Sequence, residues 1–343
     1  MLDYKKTGTF LASKRKQAQM TQADVAQKLG VSFQAVSKWE NGTLPFPEIP
    51  HPVLVLKSEE PGSKQKLAME YGYSESICHD MINHLVNDIM VMGARPLAVL
   101  DTIVCGSAEK ETIKSFIKGI SDACRENGCS LVGGETSIQP QVVAKGVYVL
   151  TSSIAGIISK DKVIDGSGIT EGDTVLAVAS NGLHTNGYSL VRMLMDQMPQ
   201  IKLEKIDGET FIEQIMKPHT PYRNAIGNLL ECPGIHGMAH ITGGGIQGNL
   251  CRILPDGLYA DIDLSKIKTL PIFRYIQRIG NIDEAEMLST FNCGVGLIVV
   301  VSERYAEQAI RNIAKYHDCY EIGRIRKGSG KVLFRNSVNW ESL

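Results

Sequence analysis

The sequence predicts an α/β protein of two layered domains, preceded by a small all-α domain. From residue 53 onward, helix-like and strand-like patterns alternate, which is typical of sheets covered by helices. Residues 1–45 contain only helix-like patterns, and they carry seven Lys and Arg against three Asp and Glu. Four prolines, at positions 45, 47, 50 and 52, separate the two regions because proline cannot continue a helix.

The composition excludes several classes of protein. Of 343 residues, 43% are hydrophobic and 21% are charged, which is typical of globular domains in water. No apolar run approaches the roughly 20 residues of a membrane span, and the N-terminus has no signal-peptide pattern. The eight cysteines form no Cys-x-x-Cys pair, which disfavours a zinc site. We therefore expect a cytoplasmic protein with no membrane partner.

These shifts in composition predict four segments. Residues 1–45 form the helical domain and 46–52 the proline-rich linker. Residues 53–168 form the first α/β domain, and 169–343 form the second.

The helical domain has the pattern of a helix-turn-helix. Phe10 and Leu11 are expected to open its first helix. Thr21 is a good N-cap for a helix over residues 22–29, which Gly30 ends. Ser32 then caps a helix over residues 33–41. A helix, a turn with glycine and a second capped helix form the motif that places its second helix in the DNA major groove.

Residues 20–42 closely resemble the Xre and phage-repressor family, most specifically in the run Ser-Lys-Trp-Glu-Asn-Gly at 37–42. This resemblance implies that Ser32, Gln34 and Ala35 face base edges, while Gln22 and Lys38 contact phosphates. The remaining apolar positions are expected to form the core: Val25, Ala26, Leu29, Val31, Val36 and Trp39. The alternative is a helical hairpin without a role in DNA binding.

The first α/β domain is predicted to contain four strands, at 53–56, 97–104, 129–132 and 147–158. Helices are predicted from Lys64 and over residues 75–93 and 110–127. The helix 75–93 combines an apolar stripe with polar residues at three- and four-residue spacings, which share a face. These polar residues are Asp80, His84, Asn87 and Asp88.

The second α/β domain is predicted to contain strands at 174–179, 238–241, 291–301 and 320–325. Helices are predicted up to residue 195 and over residues 220–230 and 303–316. Glycine-rich segments follow two of the strands, at 181–189 and 242–245. Free amides at a helix start can bind an anion, and glycine lets a phosphate approach the backbone.

Two acidic residues are candidates for binding a cation. The short strand 129–132 runs into Gly133 and Gly134, and we expect this turn to present Glu135. Asp88 is the second candidate, because magnesium often takes one or two carboxylates together with substrate phosphates. The alternatives are a tight turn with a solvated Glu135 and a solvated helical Asp88.

A phosphorylated substrate is favoured over other ligand classes. Neither glycine-rich segment matches a Walker A or a Rossmann fingerprint, which excludes P-loop and dehydrogenase functions. Lys64 follows Gly62 and Ser63, and His184 lies in a glycine-flanked turn where it could donate to phosphate or shuttle a proton. The other histidines considered, at 79, 84, 219 and 240, are expected to be packing or surface residues.

The motifs from residue 53 to 335 are similar to those of the aminoimidazole ribonucleotide synthetase family. They are Asn-Asp-Ile at 87–89, Gly-Ala-Arg-Pro-Leu at 93–97, Gly-Gly-Glu-Thr at 133–136, Gly-Leu-His-Thr-Asn-Gly-Tyr-Ser-Leu at 182–190, His-Ile-Thr-Gly-Gly-Gly at 240–245 and Thr-Phe-Asn-Cys-Gly-Val-Gly at 290–296. The resemblance implies the two-domain synthetase fold, as a homodimer. It also implies ATP-dependent closure of the imidazole ring of formylglycinamidine ribonucleotide, with Mg²⁺.

The resemblance also implies roles for individual residues. The catalytic candidates are Lys64, His184 and Asn186. The metal candidates are Glu59, Asp88 and Glu135. The candidates for binding substrate phosphate are Gly182, Thr185, Gly187, Ser189, Thr242, Gly243, Gly244 and Gly245.

One loop and the N-terminus depart from the family pattern. Where the family has Asp-Gly-Val-Gly-Thr-Lys, residues 59–64 read Glu-Glu-Pro-Gly-Ser-Lys, and the helical domain replaces a glycine-rich segment. We expect the Glu60 carboxylate to repel the phosphates of ATP. An alternative function is therefore a transcriptional regulator whose synthetase-like part senses a purine intermediate or a nucleotide. A third is a related ATP-dependent enzyme with another substrate.

Overall fold

The computed structural model describes residues 4–29, 32–42, 49–328 and 331–341. They form two compact units. The first contains Met1–Val53 and Ile158–Asp161, and the second contains Leu54–Ile157 and Lys162–Leu343.

The N-terminal unit contains three helices: α1 (Tyr4–Gln17), α2 (Gln22–Leu29) and α3 (Phe33–Glu40). The Ser32 hydroxyl accepts a hydrogen bond from the Ala35 amide, so the predicted cap of α3 is confirmed. Ala26 and Val36 form its buried core as expected. Gly30, Val31 and the side chain of Leu29 lie outside the described residues.

The prediction that Phe10 and Leu11 open the first helix is wrong. Helix α1 begins at Tyr4 and both residues lie in its middle, with 58% and 41% of their surface exposed. The lysines at positions 5 and 6 do not prevent helix formation, because lysine is a good helix former.

The first sheet and its helices come from the N-terminal half of the second unit. The elements are β1 (Pro52–Glu59), α4 (Lys64–Tyr71), α5 (Ser76–Met90), β2 (Arg95–Cys105), α6 (Lys110–Glu126), β3 (Ser130–Ile138) and β4 (Tyr148–Ser159). The strand order is β1-β4-β2-β3, with β2 parallel to β3 and antiparallel to β4. Helices α5 and α6 pack together, and α5 contacts β2 while α6 contacts β3.

The same sheet exposes five large apolar side chains, one of which, Ile138, lies at the end of β3. Leu54 and Leu56 on β1, Leu100 on β2 and Val132 on β3 are each more than half exposed. Leu56, Leu100 and Val132 line one depression, and contiguous exposed apolar surface of this kind is typical of an interaction site.

The second sheet and its helices follow. The elements are β5 (Thr174–Ala179), α7 (Tyr188–Gln197), β6 (Lys205–Ile206), β7 (Glu209–Thr210), α8 (Phe211–Ile215), α9 (Arg223–Leu229), β8 (Ile235–His240), α10 (Gly245–Leu250), β9 (Leu258–Asp263), α11 (Pro271–Gly280), α12 (Glu284–Thr290), β10 (Val295–Val301), α13 (Ala306–Ile313), β11 (Cys319–Lys327) and β12 (Val332–Arg335). The order of the large sheet is β12-β9-β11-β5-β10-β8. Every residue of β10, which lies between β5 and β8, is buried.

The predicted alternation of helices and strands is confirmed, and several bounds are corrected. Strand β10 begins at Val295 rather than at 291, because Cys293 and Gly294 have positive φ angles that break the strand. The sequence patterns do not predict strands β6, β7, β9 and β12 or helices α8, α11 and α12, whereas α10 begins at the glycine turn as expected. In the part of the chain that the structure describes, no helix is long and apolar enough to cross a membrane.

The prediction that β3 ends at Val132 is wrong. The strand continues through Gly133, Gly134 and Glu135 to Ile138, paired in parallel with β2. The pair of glycines was interpreted as a turn, but Gly134 is required by packing. A Cβ atom there would lie 2.1 Å from Asp101 Oδ1 and 2.5 Å from the Asp101 carbonyl oxygen.

A substitution at Gly134 tests this explanation. Gly134→Ala should lower the free energy of unfolding by about 1–3 kcal/mol, the usual cost of overpacking a filled site. Gly133→Ala is the matched control, because its Cβ would meet only Leu100 Cδ2 at 3.6 Å. Urea unfolding of both variants measures the difference. Equal stability of the two variants would mean that Asp101 moves freely and that packing does not require Gly134.

Candidate functional site

A cavity of about 560 Å³ in the second unit gathers most of the polar groups that a ligand could bind. It is bounded by the end of β1, by helix α5 and by the turn between β8 and α10. Its polar lining consists of Lys57, Glu59, His84, Asp88, Asn186, His240, Thr242, Asn249 and Arg252. A larger cavity of about 810 Å³, lined by α11 and residues 338–341, contains none of the predicted site residues.

Helix α5 positions the floor of this cavity through a row of buried polar side chains. Asn83 Nδ2 donates to the His219 carbonyl at 2.7 Å. Asn87 Nδ2 donates to the Thr220 carbonyl, and Asn87 Oδ1 accepts from the Tyr222 amide. Residues 217–222 have no helix or strand to pair their backbone. The side-chain amides of Asn83 and Asn87 therefore pair with backbone groups of this segment that would be costly to bury without a hydrogen-bond partner.

Lys64 and Asp80 form a fully buried ion pair beneath this region. Lys64 Nζ lies 2.9 Å and 2.8 Å from the two Asp80 oxygens, and it also donates to the carbonyls of His184 and Lys217. Burial lowers the pKa of Lys64 and raises the pKa of Asp80 to about 6, and each charge opposes the shift of the other. All three protons of the ammonium group are thus used within the protein.

The structure leaves neither the Lys64 nor the His184 side chain exposed to a phosphate in the cavity. Both side chains have no exposed surface. His184 Nε2 lies 3.0 Å from Thr220 Oγ1, and its ring stacks on His219 at 3.9 Å between centroids. In this arrangement both residues support the cavity from behind, and their catalytic roles stay predictions.

Two of the three predicted metal ligands meet at the cavity. Glu59 Oε2 and Asp88 Oδ2 lie 2.9 Å and 3.0 Å from the same atom, Lys57 Nζ. Lys57 and Glu59 stand two residues apart on β1, so their side chains point to the same face of the sheet. Asp88 is one turn of α5 from His84, whose Nε2 lies 3.5 Å from Asp88 Oδ2.

Asp88 also orients a histidine pair. His240 Nδ1 lies 2.6 Å from Asp88 Oδ1, and His240 Nε2 lies 2.8 Å from His219 Nε2. An ionised carboxylate can only accept, so His240 donates from Nδ1 and accepts from His219 at Nε2. The expectation that His84 and His240 are plain packing or surface residues is therefore corrected, because both rings lie against the Asp88 carboxylate, whereas His219 is fully buried.

The electrostatics of these groups follow from burial and proximity. Burial and the neighbouring His240 lower the pKa of His84 to about 4, against the attraction of Asp88 and Glu59. Burial would raise the pKa of Asp88, but the His240 hydrogen bond and nearby positive charges hold it well below its usual range. At neutral pH the cavity floor thus has an ionised Asp88, an uncharged His84 and the Lys57 ammonium.

The third predicted metal ligand, Glu135, lies elsewhere in the same protomer. Strands β1 and β3 are the opposite edges of the first sheet, so three inter-strand spacings, about 14 Å, separate them. Glu135 instead lines a separate depression of about 440 Å³ together with Asp101. The chain does not bring Glu59, Asp88 and Glu135 to one ion, and a metal role for Glu135 stays a prediction.

The residues at the cavity do not fit a magnesium ion bound between Glu59 and Asp88. Magnesium requires close oxygen ligands in near-octahedral geometry. Here Asp88 Oδ1 accepts from His240, while Asp88 Oδ2 and Glu59 Oε2 both contact the Lys57 ammonium. A positive charge of the protein already lies where these two carboxylates converge.

The glycine-rich turns are only partly available to a ligand. Thr242, Gly243 and Asn186 line the cavity. By contrast, a Cβ at Gly187 would lie 2.0 Å from the Phe291 ring, and one at Gly245 would lie 1.8 Å from the Leu288 carbonyl oxygen. Packing within the protein therefore requires glycine at these two positions, whether or not a phosphate approaches.

The other predicted phosphate-binding residues lie around the same turns. Gly182 is buried, Ser189 is exposed, and Thr185 Oγ1 lies 3.4 Å from His84 Nδ1. Gly244 has a left-handed φ of 92° directly before α10. Their role in binding phosphate stays a prediction.

The Glu60 side chain does not enter the cavity. Glu60 is exposed, and the lining residues from its loop are Lys57 and Glu59. The expected repulsion requires the Glu60 carboxylate to lie close to a nucleotide phosphate. This side chain does not line the cavity, and the repulsion stays a prediction.

The N-terminal unit presents part of the predicted DNA-binding surface. Gln34 and Lys38 on α3 are exposed, and Ala35 is half-buried. Ser32 is exposed and caps the helix. Gln22 donates to Glu40 Oε2 at 2.8 Å, so a phosphate contact would require this side chain to change partners.

Sequence reasoning missed Lys57, His240 and Arg252 as cavity residues. The sequence contains one signal for Lys57 and one for His240. Lys57 precedes Glu59 by two residues on a strand, which places both on one face, and His240 ends the strand before the glycine turn at 242–245. Arg252 follows α10, and no local pattern marked it.

Comparisons with known proteins match the three parts of the chain. The N-terminal domain of AIR synthase related protein matches residues 54–158, and its C-terminal domain matches residues 170–336. A helix-turn-helix domain matches residues 11–47.

Curated relatives cover most of the chain. Phosphoribosylformylglycinamidine cyclo-ligase of Bacillus cytotoxicus is 41% identical over 294 residues, 84% of this chain and 84% of the relative. The protein of the same name from Methylobacillus flagellatus is 42% identical over 307 residues, 88% and 85% of the two chains. Among solved structures, the hydrogenase maturation protein HypE in complex with ATP has a TM-score of 0.59 at 18% identity, covering 82% of this chain and 81% of HypE. This last likeness concerns the fold alone.

A substitution at Lys64 tests the importance of the buried ion pair. Lys64→Met should lower the free energy of unfolding by about 3–5 kcal/mol, because it leaves the Asp80 charge buried without its partner. The double variant Lys64→Met/Asp80→Asn should recover part of this loss, since an amide oxygen can still accept from the His219 amide. Urea unfolding measures both. If the single variant were as stable as the double variant, Asp80 would not depend on Lys64.

Proposed function

Because the chain belongs to the AIR synthase related protein family, we propose that it closes the imidazole ring of formylglycinamidine ribonucleotide at the expense of ATP. The observation that carries the proposal is the 41–42% identity with curated cyclo-ligases over more than four fifths of each chain. We place the reaction in the cytoplasm.

The proposed reaction has two steps. ATP transfers its terminal phosphoryl group to the formyl amide oxygen of the substrate, and ADP leaves. The amidine nitrogen then attacks the activated carbon, a C–N bond forms, and phosphate leaves with that oxygen while a proton is lost from nitrogen. An intramolecular attack of this kind depends on positioning of the reacting groups and on charge stabilisation.

The cavity supports these requirements. Arg252 and Lys57 supply positive charge for substrate or nucleotide phosphates, and Asn186 and Thr242 supply hydrogen-bonding groups at the same wall. His240, held by Asp88, fixes the orientation of the cavity floor. No step of this proposal uses a metal ion on Glu59 and Asp88.

A second candidate function is a transcriptional regulator whose synthetase-like part senses a purine ribonucleotide. The helix-turn-helix match at residues 11–47 and the ammonium group between the two carboxylates favour it. In this case the cavity binds ligand without turnover, and the bound ligand changes the affinity for DNA.

We also propose that the chain acts as a homodimer through the exposed face of the first sheet. The apolar side chains of Leu54, Leu56, Leu100 and Val132 would be covered by the same face of a second copy. A dimer would also supply two recognition helices for two half-sites of an operator.

An assay of turnover separates the two candidate functions. With formylglycinamidine ribonucleotide, ATP and magnesium, the protein should release ADP and form aminoimidazole ribonucleotide. Asp88→Asn should reduce turnover by about a hundredfold or more, because it removes the charge that holds His240 and Lys57. Asp122→Asn, which changes an acid on the surface of α6, is the control and should be neutral.

Two outcomes would contradict the enzymatic proposal. Ribonucleotide binding by calorimetry without any ADP release would favour the regulator. Near-normal turnover by Asp88→Asn would remove Asp88 and its partners from the reaction.

The dimer and DNA proposals are tested together. Leu100→Asp should convert the protein to a monomer in light scattering and weaken binding to an inverted repeat whose half-sites lie about 34 Å apart. Leu203→Asp, at a more exposed leucine outside the two large sheets, should change neither. Binding should also weaken as salt rises, because lysine contacts to phosphate release counterions. A dimeric Leu100→Asp protein would exclude this face, and no shift of upstream DNA by the unchanged protein would exclude the operator.

A further inference from the structure

We propose that the Lys57 ammonium group takes the place of a divalent cation at the carboxylate pair of Glu59 and Asp88. The site would then bind its phosphate-bearing ligand without a metal ion at this position. Binding of a phosphorylated ligand rests on the proposed function, whereas the exclusion of a metal ion does not.

The position of Lys57 supports a built-in cation rather than a chance surface contact. Its Nζ contacts one oxygen of each carboxylate, at 2.9 Å and 3.0 Å. The two carboxylates come from different elements, β1 and α5, so the ammonium group joins the strand to the helix. The three side chains are about 20–35% exposed, which limits the screening of their charges by water.

The surrounding donors leave few free oxygen atoms for a magnesium ion between Glu59 and Asp88, although His84, Asp88 and His240 lie close enough to hold a metal that accepts nitrogen ligands. His240 occupies the second oxygen of Asp88, and the Glu60 amide lies 3.3 Å from the second oxygen of Glu59. His84 Nε2 stands 3.5–3.6 Å from both carboxylates. A divalent ion would have to displace the ammonium group and then remain close to its positive charge.

The ammonium group can also take over the task of the ion. Magnesium at phosphate sites is usually bound by one or two carboxylates plus the phosphates, so it bridges protein and ligand. Lysine is a known phosphate-binding group that acts as a point charge. A group with three donors can keep both carboxylates and offer its third proton to a phosphate oxygen in the cavity.

Manganese binding to the full-length protein tests the proposal without any ligand. Electron paramagnetic resonance measures free Mn²⁺ during a titration. The unchanged protein should show no site that depends on Asp88. Lys57→Ala should gain one Mn²⁺ site, which binds about tenfold or more tightly than any Mn²⁺ binding of the unchanged protein. The double variant Lys57→Ala/Asp88→Asn should lose this site. Lys268→Ala, at an exposed lysine that pairs with the single carboxylate of Asp318, is the matched control and should gain none.

Lys57→Met provides a second variant in case Lys57→Ala does not fold, because it keeps most of the side-chain stem and removes the charge. A site in the unchanged protein that Asp88→Asn abolishes would overturn the proposal. Folded Lys57→Ala and Lys57→Met proteins that gain no site would also overturn it.

A second measurement compares the binding of ATP in EDTA with its binding in magnesium. The unchanged protein should bind ATP with the same affinity in both, whereas Lys57→Ala should bind about tenfold or more tightly with magnesium. A gain in ATP affinity with magnesium that the unchanged protein shows and that Asp88→Asn abolishes would contradict the proposal. If the protein bound neither ATP nor the ribonucleotide, the proposed function would fail, and the manganese titration would still decide the role of Lys57.

Discussion

The buried polar face of α5 is the constraint on which the rest of the site depends. Asp80, Asn83 and Asn87 hold the backbone of residues 217–222, and Lys64 neutralises the one charge among them. An unsatisfied polar group in this position costs about 1–3 kcal/mol, and an unpaired charge costs more. The helix and the segment therefore keep one arrangement. This arrangement fixes His219, and through it His240 and the orientation of the cavity floor.

The chain is similar to synthetases along most of its length, and the charges of its cavity are set by the side chains of Lys57, Glu59 and Asp88. Similarity to curated cyclo-ligases extends over most of the chain, and Thr242 and Gly243 line the cavity. At the carboxylate pair, however, Lys57 supplies the positive charge. Lys57 on β1 therefore places a positive charge of the protein in the cavity where a phosphorylated ligand is proposed to bind. The enzymatic and the regulatory alternatives both require the cavity to bind a phosphorylated ligand.

Part of this structure could be predicted from the sequence, because local patterns determine it. The alternation of elements, the Ser32 cap and the shared face of Asp80, His84 and Asn87 follow from periodicity and capping rules. The length of β3 could not be predicted, since Gly133 and Gly134 are typical of a turn and only the neighbouring Asp101 explains the second. The burial of Lys64 was also not predictable, because its partners at 80, 184 and 217 are distant in sequence. The Lys57 bridge likewise required knowing how β1 lies against α5.

The Lys57 ammonium group is proposed to be the cation at the Glu59 and Asp88 pair. A crystal structure of the full-length protein grown with ATP and manganese chloride tests this proposal most directly, because anomalous scattering locates manganese. The account predicts Lys57 Nζ within hydrogen-bonding distance of both carboxylates and no anomalous peak between them. A manganese peak bonded to Glu59 and Asp88, with the Lys57 side chain turned away, would contradict it.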